Sequence, residues 1–320
     1  MAAAALGMGQ EVTCLARGES GDAPAGRTFV SADRDLAGAY DPVRHRHWDL
    51  VVDVSWQPGQ VRSAVEALGD VAAHWVYVSS CSVYADQSTP RTDESAALLE
   101  PLPAGTVRVD REQYGAAKVS CERLCADRLG DRVLLARAGL IAGYGDLSDR
   151  FGYWPGRFAL AMRHGGAVLV PAGFRAAPAQ AIDVADLAHW LVRSGLAGVS
   201  GALNAVGPHW TFGEVLDVAR AVTGFAGPLV EAPPDWLREQ HVEEYMGARS
   251  LPLWFVDPSY AGFSDRARDA ASAAGLPHSD LERVVRECLR WELELGLDRE
   301  RRAGLTRSEE LALLAALKAA

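Results

Sequence analysis

Nowhere does the chain sustain an apolar run of about 18 residues, the length a membrane-spanning helix needs, so no membrane partner is expected. The opening stretch, MAAAALGMGQEV, has no basic head and turns polar by Gln10. It lacks the makings of a secretory signal, and the cytoplasm is the default expectation. Basic residues are the minority, 32 Lys and Arg against 42 Asp and Glu, for a net charge of −10. A broad nucleic-acid surface needs the opposite sign, so no nucleic-acid partner is expected. One local arginine still suffices for an anionic small ligand. The five cysteines, Cys14, Cys81, Cys121, Cys125 and Cys288, form no CxxC and are expected to be reduced and packed. Cys121 and Cys125 fall one helical turn apart without further ligands, and His164, His209 and His241 are isolated, so no metal site is expected.

What is present is a chain of 320 residues, 49% hydrophobic and 23% charged, long enough for one α/β unit with a smaller lobe. Short apolar runs at Glu11–Leu15, Arg27–Val30, Asp49–Val54, Trp75–Ser79 and Arg132–Ala136 predict strands. Helical periodicity at Gly59–Leu68 and Gln113–Leu129 alternates with them. Such alternation implies right-handed crossovers and a parallel sheet. The nearly continuous apolar DLVVDV run suits a strand covered on both faces. Beyond residue 145 the pattern changes. Residues 146–157 read as a loop facing a ligand, and helices are predicted at Phe158–Arg163, Ile182–Arg193, Phe212–Thr223, Leu281–Leu295 and 306–320. Strands are predicted at Ala167–Val170 and Ala202–Ala205.

The sharpest chemical signal is Tyr114-Gly-Ala-Ala-Lys118. Positions i and i+4 share a helix face, which sets a phenol beside an ammonium. The cation favours the phenolate and lowers the tyrosine pKa from about 10, giving a proton shuttle for alcohol–ketone interconversion. Taken alone, the pair fits an exposed helix face equally well. The segment Val76–Tyr84, VYVSSCSVY, breaks from a strand into small hydroxyl residues. Sites of open α/β sheets lie at the carboxyl ends of strands, and Ser80 there is placed to hold a substrate oxygen next to Tyr114. A polar strand-to-loop turn is the plainer alternative.

In order and spacing, VYVSSCSVY at 76–84, YGAAK at 114–118, LLARAGLIAG at 134–143, AIDVADLA at 181–188 and GALNAVG at 201–207 resemble the extended short-chain dehydrogenases/reductases. This is the superfamily of NAD(P)-dependent epimerases and dehydratases. The resemblance implies a Rossmann-like, doubly wound parallel sheet with a smaller C-terminal substrate lobe. It implies Tyr114 as catalytic acid/base, Lys118 on the nicotinamide ribose, Ser80 as the catalytic hydroxyl and Ser82 as a substrate contact. Asp33, with Arg34 beside it, falls where an acid meets the adenine amine. Ser55 and Trp56 match the segment passing under the cofactor, and Ala138–Leu140 the stretch near the nicotinamide amide, making Leu140 a cofactor contact. A homodimer is a further expectation.

Three departures matter. The sugar-nucleotide dehydratases follow the catalytic hydroxyl with an Asp-Glu pair, where this chain has Cys81 and Ser82, so that elimination chemistry is not expected. Where NAD-preferring members carry an acid after the second strand, this chain has Ala16-Arg17. A guanidinium suits a 2′-phosphate, so NADP is expected, with NAD as the alternative. The opening strand and its GxxGxxG turn have no counterpart, since Gly7 and Gly9 immediately precede the second strand. The expectation is a sheet with its first strand missing, about 15–20 residues lying upstream in the natural protein, and weak cofactor binding by this form. A genuinely shortened protein is the competing explanation.

Residues 1–145, with 176–207 returning, are expected to bind the dinucleotide. Residues 146–175 and 208–295 are expected to form the substrate lobe, and 296–320 a C-terminal helical tail. Tyr153 and Arg157 are candidate substrate contacts for a sugar or sugar nucleotide, although lobe aromatics serve equally well as core. The leading reading is an oxidoreductase or epimerase. A non-catalytic dinucleotide- or RNA-binding relative is the alternative.

Overall fold

The structure is a computed structural model, and it describes residues 1–19, 21, 24–173 and 175–319. After a short alanine-rich helix, α1 (Ala2–Gly7), the strands β1 (Thr13–Ala16) and β2 (Thr28–Ser31) pair in parallel. Next come β3 (Trp48–Asp53), α2 (Pro58–Leu68), β4 (Ala72–Ser80), α3 (Tyr114–Leu129) and β5 (Val133–Ala138). Then follow β6 (Leu140–Ala142), α4 (Tyr153–His164), β7 (Val168–Pro171), β8 (Ala181–Asp183), α5 (Val184–Leu196) and β9 (Gly201–Ala205). The remainder holds α6 (Phe212–Thr223), β10 (Leu229–Ala232), α7 (Pro234–Glu239), β11 (Glu243–Tyr245), β12 (Ser250–Pro252), α8 (Asp269–Ala273), α9 (Leu281–Leu295) and α10 (Arg307–Ala319).

The central sheet is parallel throughout, in the order β3-β4-β5-β9. Its strands alternate their side chains between two helical layers. Trp75, Tyr77, Val133 and Leu135 pack with Val61, Val65, Cys121 and Cys125 of α2 and α3. Val76, Leu134 and Ala136 face Leu187, Trp190 and Leu191 of α5. This is the α/β, Rossmann-like architecture that the strand–helix alternation implies. Among the described residues, β1 and β2 pair only with each other, and β3 has a strand partner on one side alone. DLVVDV was expected to be covered on both faces. Val51 packs toward α2 and α3 and Leu50 and Val52 toward α5, so both faces are covered, although all three are only half-buried at this sheet edge.

The lobe packs α4, α6 and α9 around the parallel pair β7–β10. Its core includes Trp154, Phe158, Phe212, Leu216, Val284 and Val285. Two expectations need correction here. Helix α4 already begins at Tyr153, within the stretch read as loop, because Pro155 lies in its first turn, where a missing N–H costs nothing. The expected C-terminal helical tail, described through residue 319, does not stand apart, since Leu305, Leu313 and Leu314 join the same lobe core. The ends of α6 are set locally, by a Thr211–Glu214 capping box and by Gly224 in the left-handed region. All five cysteines are free thiols. Among the described residues no helix is long and apolar enough to cross a membrane.

Candidate active site at the carboxyl end of β4

β4 ends at Ser80 and turns into a single 3₁₀ turn, Cys81–Val83. The Ser80 hydroxyl caps that turn, accepting from the Ser82 amide at 3.1 Å and donating to the Ser82 hydroxyl at 3.1 Å. Helix α3 starts against the same turn. Gly115 makes the approach feasible, because a Cβ there would collide with the Ser82 carbonyl oxygen and the Leu99 side chain. The glycine after the tyrosine therefore seats Tyr114, the first residue of α3, beside the strand end.

Tyr114 is half-buried and edge-on to the Trp56 ring at 5.6 Å, on the side of the strand end that carries Ser80. Trp56, Gln57, Val109, Asp110 and Tyr114, with Arg108 and Arg111 on the rim, line an open cleft of about 530 Å³. The Gln57 side chain pairs in both directions with the Val109 backbone, donating at 3.1 Å and accepting at 3.0 Å, and so fixes the outer wall.

Lys118 was expected to face a ribose and depress the tyrosine pKa. The structure turns it inward. It is 2% exposed, with Nζ donating to the Val78 carbonyl at 2.6 Å and the Ser55 carbonyl at 3.1 Å. Its ammonium lies 4.7 Å from the Tyr77 ring centre and 6.0 Å from that of Tyr114. Burial brings its pKa down to about 8. Burial likewise holds the Tyr114 phenol above its ordinary value. The Ser80 hydrogen bond opposes this first, then the charges of Arg150 and Arg111.

The other expected cofactor residues are dispersed. Arg34 grips Asp53 at the end of β3 in a bidentate pair, 2.9 and 2.7 Å, and also donates to the Tyr40 hydroxyl and the Gln60 carbonyl. It braces the strand and is not free for adenine. Asp33 accepts from the Asp35 amide in a local turn. Ser55 donates its amide to Asp53 and its hydroxyl to Gln60. Arg17 is exposed and ion-paired with Glu19 at 3.2 Å. Leu140 is buried in the lobe core.

Tyr153 and Arg157, the expected substrate contacts, are 1% and 3% exposed and do not face the cleft. Tyr153 packs edge-on to Trp154, and Arg157 pairs with Glu310 of α10. Of the residues singled out in the sequence, the structure therefore gathers Ser80, Ser82, Tyr114 and Trp56, with Lys118 behind them.

Sequence reasoning missed two groups. One is a buried network behind the strand end. Arg137 donates to Glu122 at 3.1 and 2.9 Å and to the Tyr84 hydroxyl at 3.2 Å, and Tyr84 in turn donates to Asn204 at 2.6 Å. The other is Arg150 with Tyr245, on the lobe side. The only signal for it was the polar, aromatic run after residue 145.

No family model matches the sequence, and no curated protein matches it as a relative. Solved structures do share its fold. The UDP-N-acetylglucosamine 4-epimerase from Bacillus cereus aligns with a TM-score of 0.62 at 18% identity, covering 92% of this chain and 94% of the other. TunA, an NAD-dependent NDP-hexosamine 5,6-dehydratase of tunicamycin biosynthesis, aligns at 0.63 and 16%, covering 93% and 94%. WbmG from Bordetella bronchiseptica, solved with NAD and UDP, aligns at 0.57 and 16%, covering 92% and 89%. The chain thus shares the fold of these epimerase and dehydratase structures.

Proposed function

We propose that this chain is a nicotinamide-dependent oxidoreductase or epimerase acting at a carbinol carbon of a sugar or sugar nucleotide. The observation that carries this reading is Tyr114, at the start of α3, seated against the turn after the carboxyl end of β4 that holds Ser80 and lining an open cleft. The lining suits a dinucleotide. Trp56 and Tyr114 offer aromatic surface, and Arg111 is a rim cation for phosphate, while Arg108 beside it is paired with Asp35. When bound, nicotinamide supplies the hydride acceptor and donor. Ser80 orients the substrate hydroxyl. Tyr114 takes its proton during oxidation and returns it during reduction. Trp56, edge-on to the phenol, shields it from bulk water. The sugar-nucleotide class is supported by what the Bacillus cereus and Bordetella bronchiseptica neighbours act on or hold.

Between the two cofactors, the Glu19 carboxylate beside Arg17 opposes a 2′-phosphate and suits a ribose diol. NAD is therefore the better fit, a revision of the NADP expectation drawn from Arg17 alone. A second reading, binding without turnover, is favoured by one observation, the engagement of Lys118 with two backbone carbonyls. Fluorescence titration with NADH and NADPH tests the first part. Adding UDP-glucose or UDP-N-acetylglucosamine to the NAD-loaded protein, while following reduced-nicotinamide absorbance, tests the second. The expected result is tighter binding of NADH than of NADPH and an absorbance transient on adding substrate. Binding without a transient supports the second reading, and no binding of either cofactor overturns both.

A further inference from the structure

We propose that Arg266 is a positioning residue of this site, a buried guanidinium that acts through Gln87 to hold the turn carrying Ser80 and Ser82. The inference rests on the reading of Ser80 and Tyr114 as the reacting pair. Residues 255–268 leave the lobe core beyond Trp254 and return to the sheet at α8, where Ala271 packs with Leu187 and Trp190. On the way they clasp the segment that follows the turn. The Gly262 amide donates to the Gln87 carbonyl at 2.8 Å, the Arg91 amide to the Asp265 carbonyl at 2.6 Å, and the Ala267 amide to the Thr92 carbonyl at 3.0 Å.

Arg266 lies inside this clasp, 0% exposed. Gln180, just before β8, fixes its backbone from both sides, accepting from the Arg266 amide at 2.9 Å and donating to the Arg266 carbonyl at 3.0 Å. The guanidinium lies 4.7 Å from the Tyr84 ring centre. It donates to the Thr92 hydroxyl, to the Asp86 carbonyl at 2.9 Å and to the Gln87 side-chain oxygen. The Gln87 side-chain nitrogen in turn donates to the Cys81 carbonyl at 3.3 Å and the Tyr84 carbonyl at 2.9 Å. An amide side chain can present either end to a neighbour. The cation claims the oxygen of Gln87, and so turns the nitrogen toward those two carbonyls. Cys81 opens the 3₁₀ turn and Tyr84 closes it, so the turn is gripped at both ends. The site stands on that turn. Its Ser82 amide donates to the Ser80 hydroxyl, and its Ser82 carbonyl is what Gly115 approaches to seat Tyr114. A tilt of the turn displaces Ser80 and Tyr114 together. An aliphatic side chain would fill the same space at a lower desolvation cost. What only a planar fork supplies is several donors aimed at one short segment.

Amide hydrogen exchange across residues 80–84 of the ligand-free protein reads the relay without substrate. Arg266→Met should speed it by roughly tenfold or more, and Gln87→Leu should do the same while residues 262–268 stay protected. Arg266→Lys, which keeps a donor, should recover part of the protection. Combining Arg266→Met with Gln87→Leu should loosen the turn no further than either change alone, because both break one chain. In the NAD-loaded protein with UDP-N-acetylglucosamine, either change should lower kcat by about 10–100-fold with KM nearly unchanged. An Arg266→Met protein that loosens at 86–92 while 80–84 exchanges as in wild type overturns the inference. Should Arg266→Met not fold, unchanged exchange at 80–84 in Gln87→Leu overturns it equally. Faster exchange with an unchanged kcat reduces Arg266 to a clasp between lobe and sheet, and overturns its positioning role. Faster exchange in a protein whose wild type never turns over leaves the relay standing and removes the proposed function. Wild-type turnover with exchange unmoved in the variants does the reverse.

Discussion

On the strand side of the cleft, Lys118 gives its protons to the carbonyls of Val78 and Ser55, and Arg34 and Arg137 are each matched to a carboxylate, Asp53 and Glu122. On the lobe side, Arg157 and Arg301 are matched in the same way to Glu310 and Glu292, and Arg150 is held by the Tyr245 hydroxyl. Both regions bury charge, and both pair almost all of it. The difference teaches where to look for electrostatic work. A cation whose hydrogen bonds are filled by backbone or by a matched carboxylate is a brace, whereas the exposed Arg111 at the cleft still acts on whatever enters.

Removing a partner from one of the matched pairs should produce the largest effect. Glu310 is fully buried and takes Arg157, Arg307 and the Leu169 amide. Glu310→Leu strands Arg157 in the lobe core and should cost about 3–5 kcal/mol in urea unfolding. A loss below about 1 kcal/mol would mean the pair is not the brace described here. Gly115→Ala should come next. The added methyl group meets the Ser82 carbonyl, pushing Tyr114 away from Ser80, and should cost about 1–3 kcal/mol while weakening the acid/base pair. Unchanged stability in thermal melts would show that α3 can shift freely.

A pH-dependent effect tests whether Lys118 is a brace. Lys118 has a native pKa of about 8, against roughly 10.4 when unfolded. Between those values the unfolded chain binds more protons than the native one, so stability rises with pH. Wild type should therefore gain on Lys118→Met as pH climbs through that window. Parallel stability curves for the two proteins would place the lysine in water rather than under the sheet.

Much of the strand side was legible because its signals are local. On the lobe side too, the helices Phe212–Thr223 and Leu281–Leu295 were read to the residue from their local pattern. Ser80 and Tyr114 were found from short motifs whose spacing follows from strand and helix periods. What escaped were partnerships between distant positions. Nothing near Arg34 announces Asp53, nothing near Arg157 announces Glu310, and nothing near Asp149 announces Arg299. Arg34 and Arg157 read in sequence as a cofactor contact and a substrate contact, and each is consumed by the fold. The burial of Lys118 escaped for the same reason, since its acceptors belong to β4 and to the segment after β3.

Turnover of Tyr114→Phe tests the central claim most directly, measured as the reduced-nicotinamide transient with a UDP-hexose alongside NADH titration of the same variant. The account predicts a rate lower by about 10²–10⁴-fold with NADH affinity nearly unchanged. A variant as fast as wild type would contradict it, and the proton would have to travel through some other group.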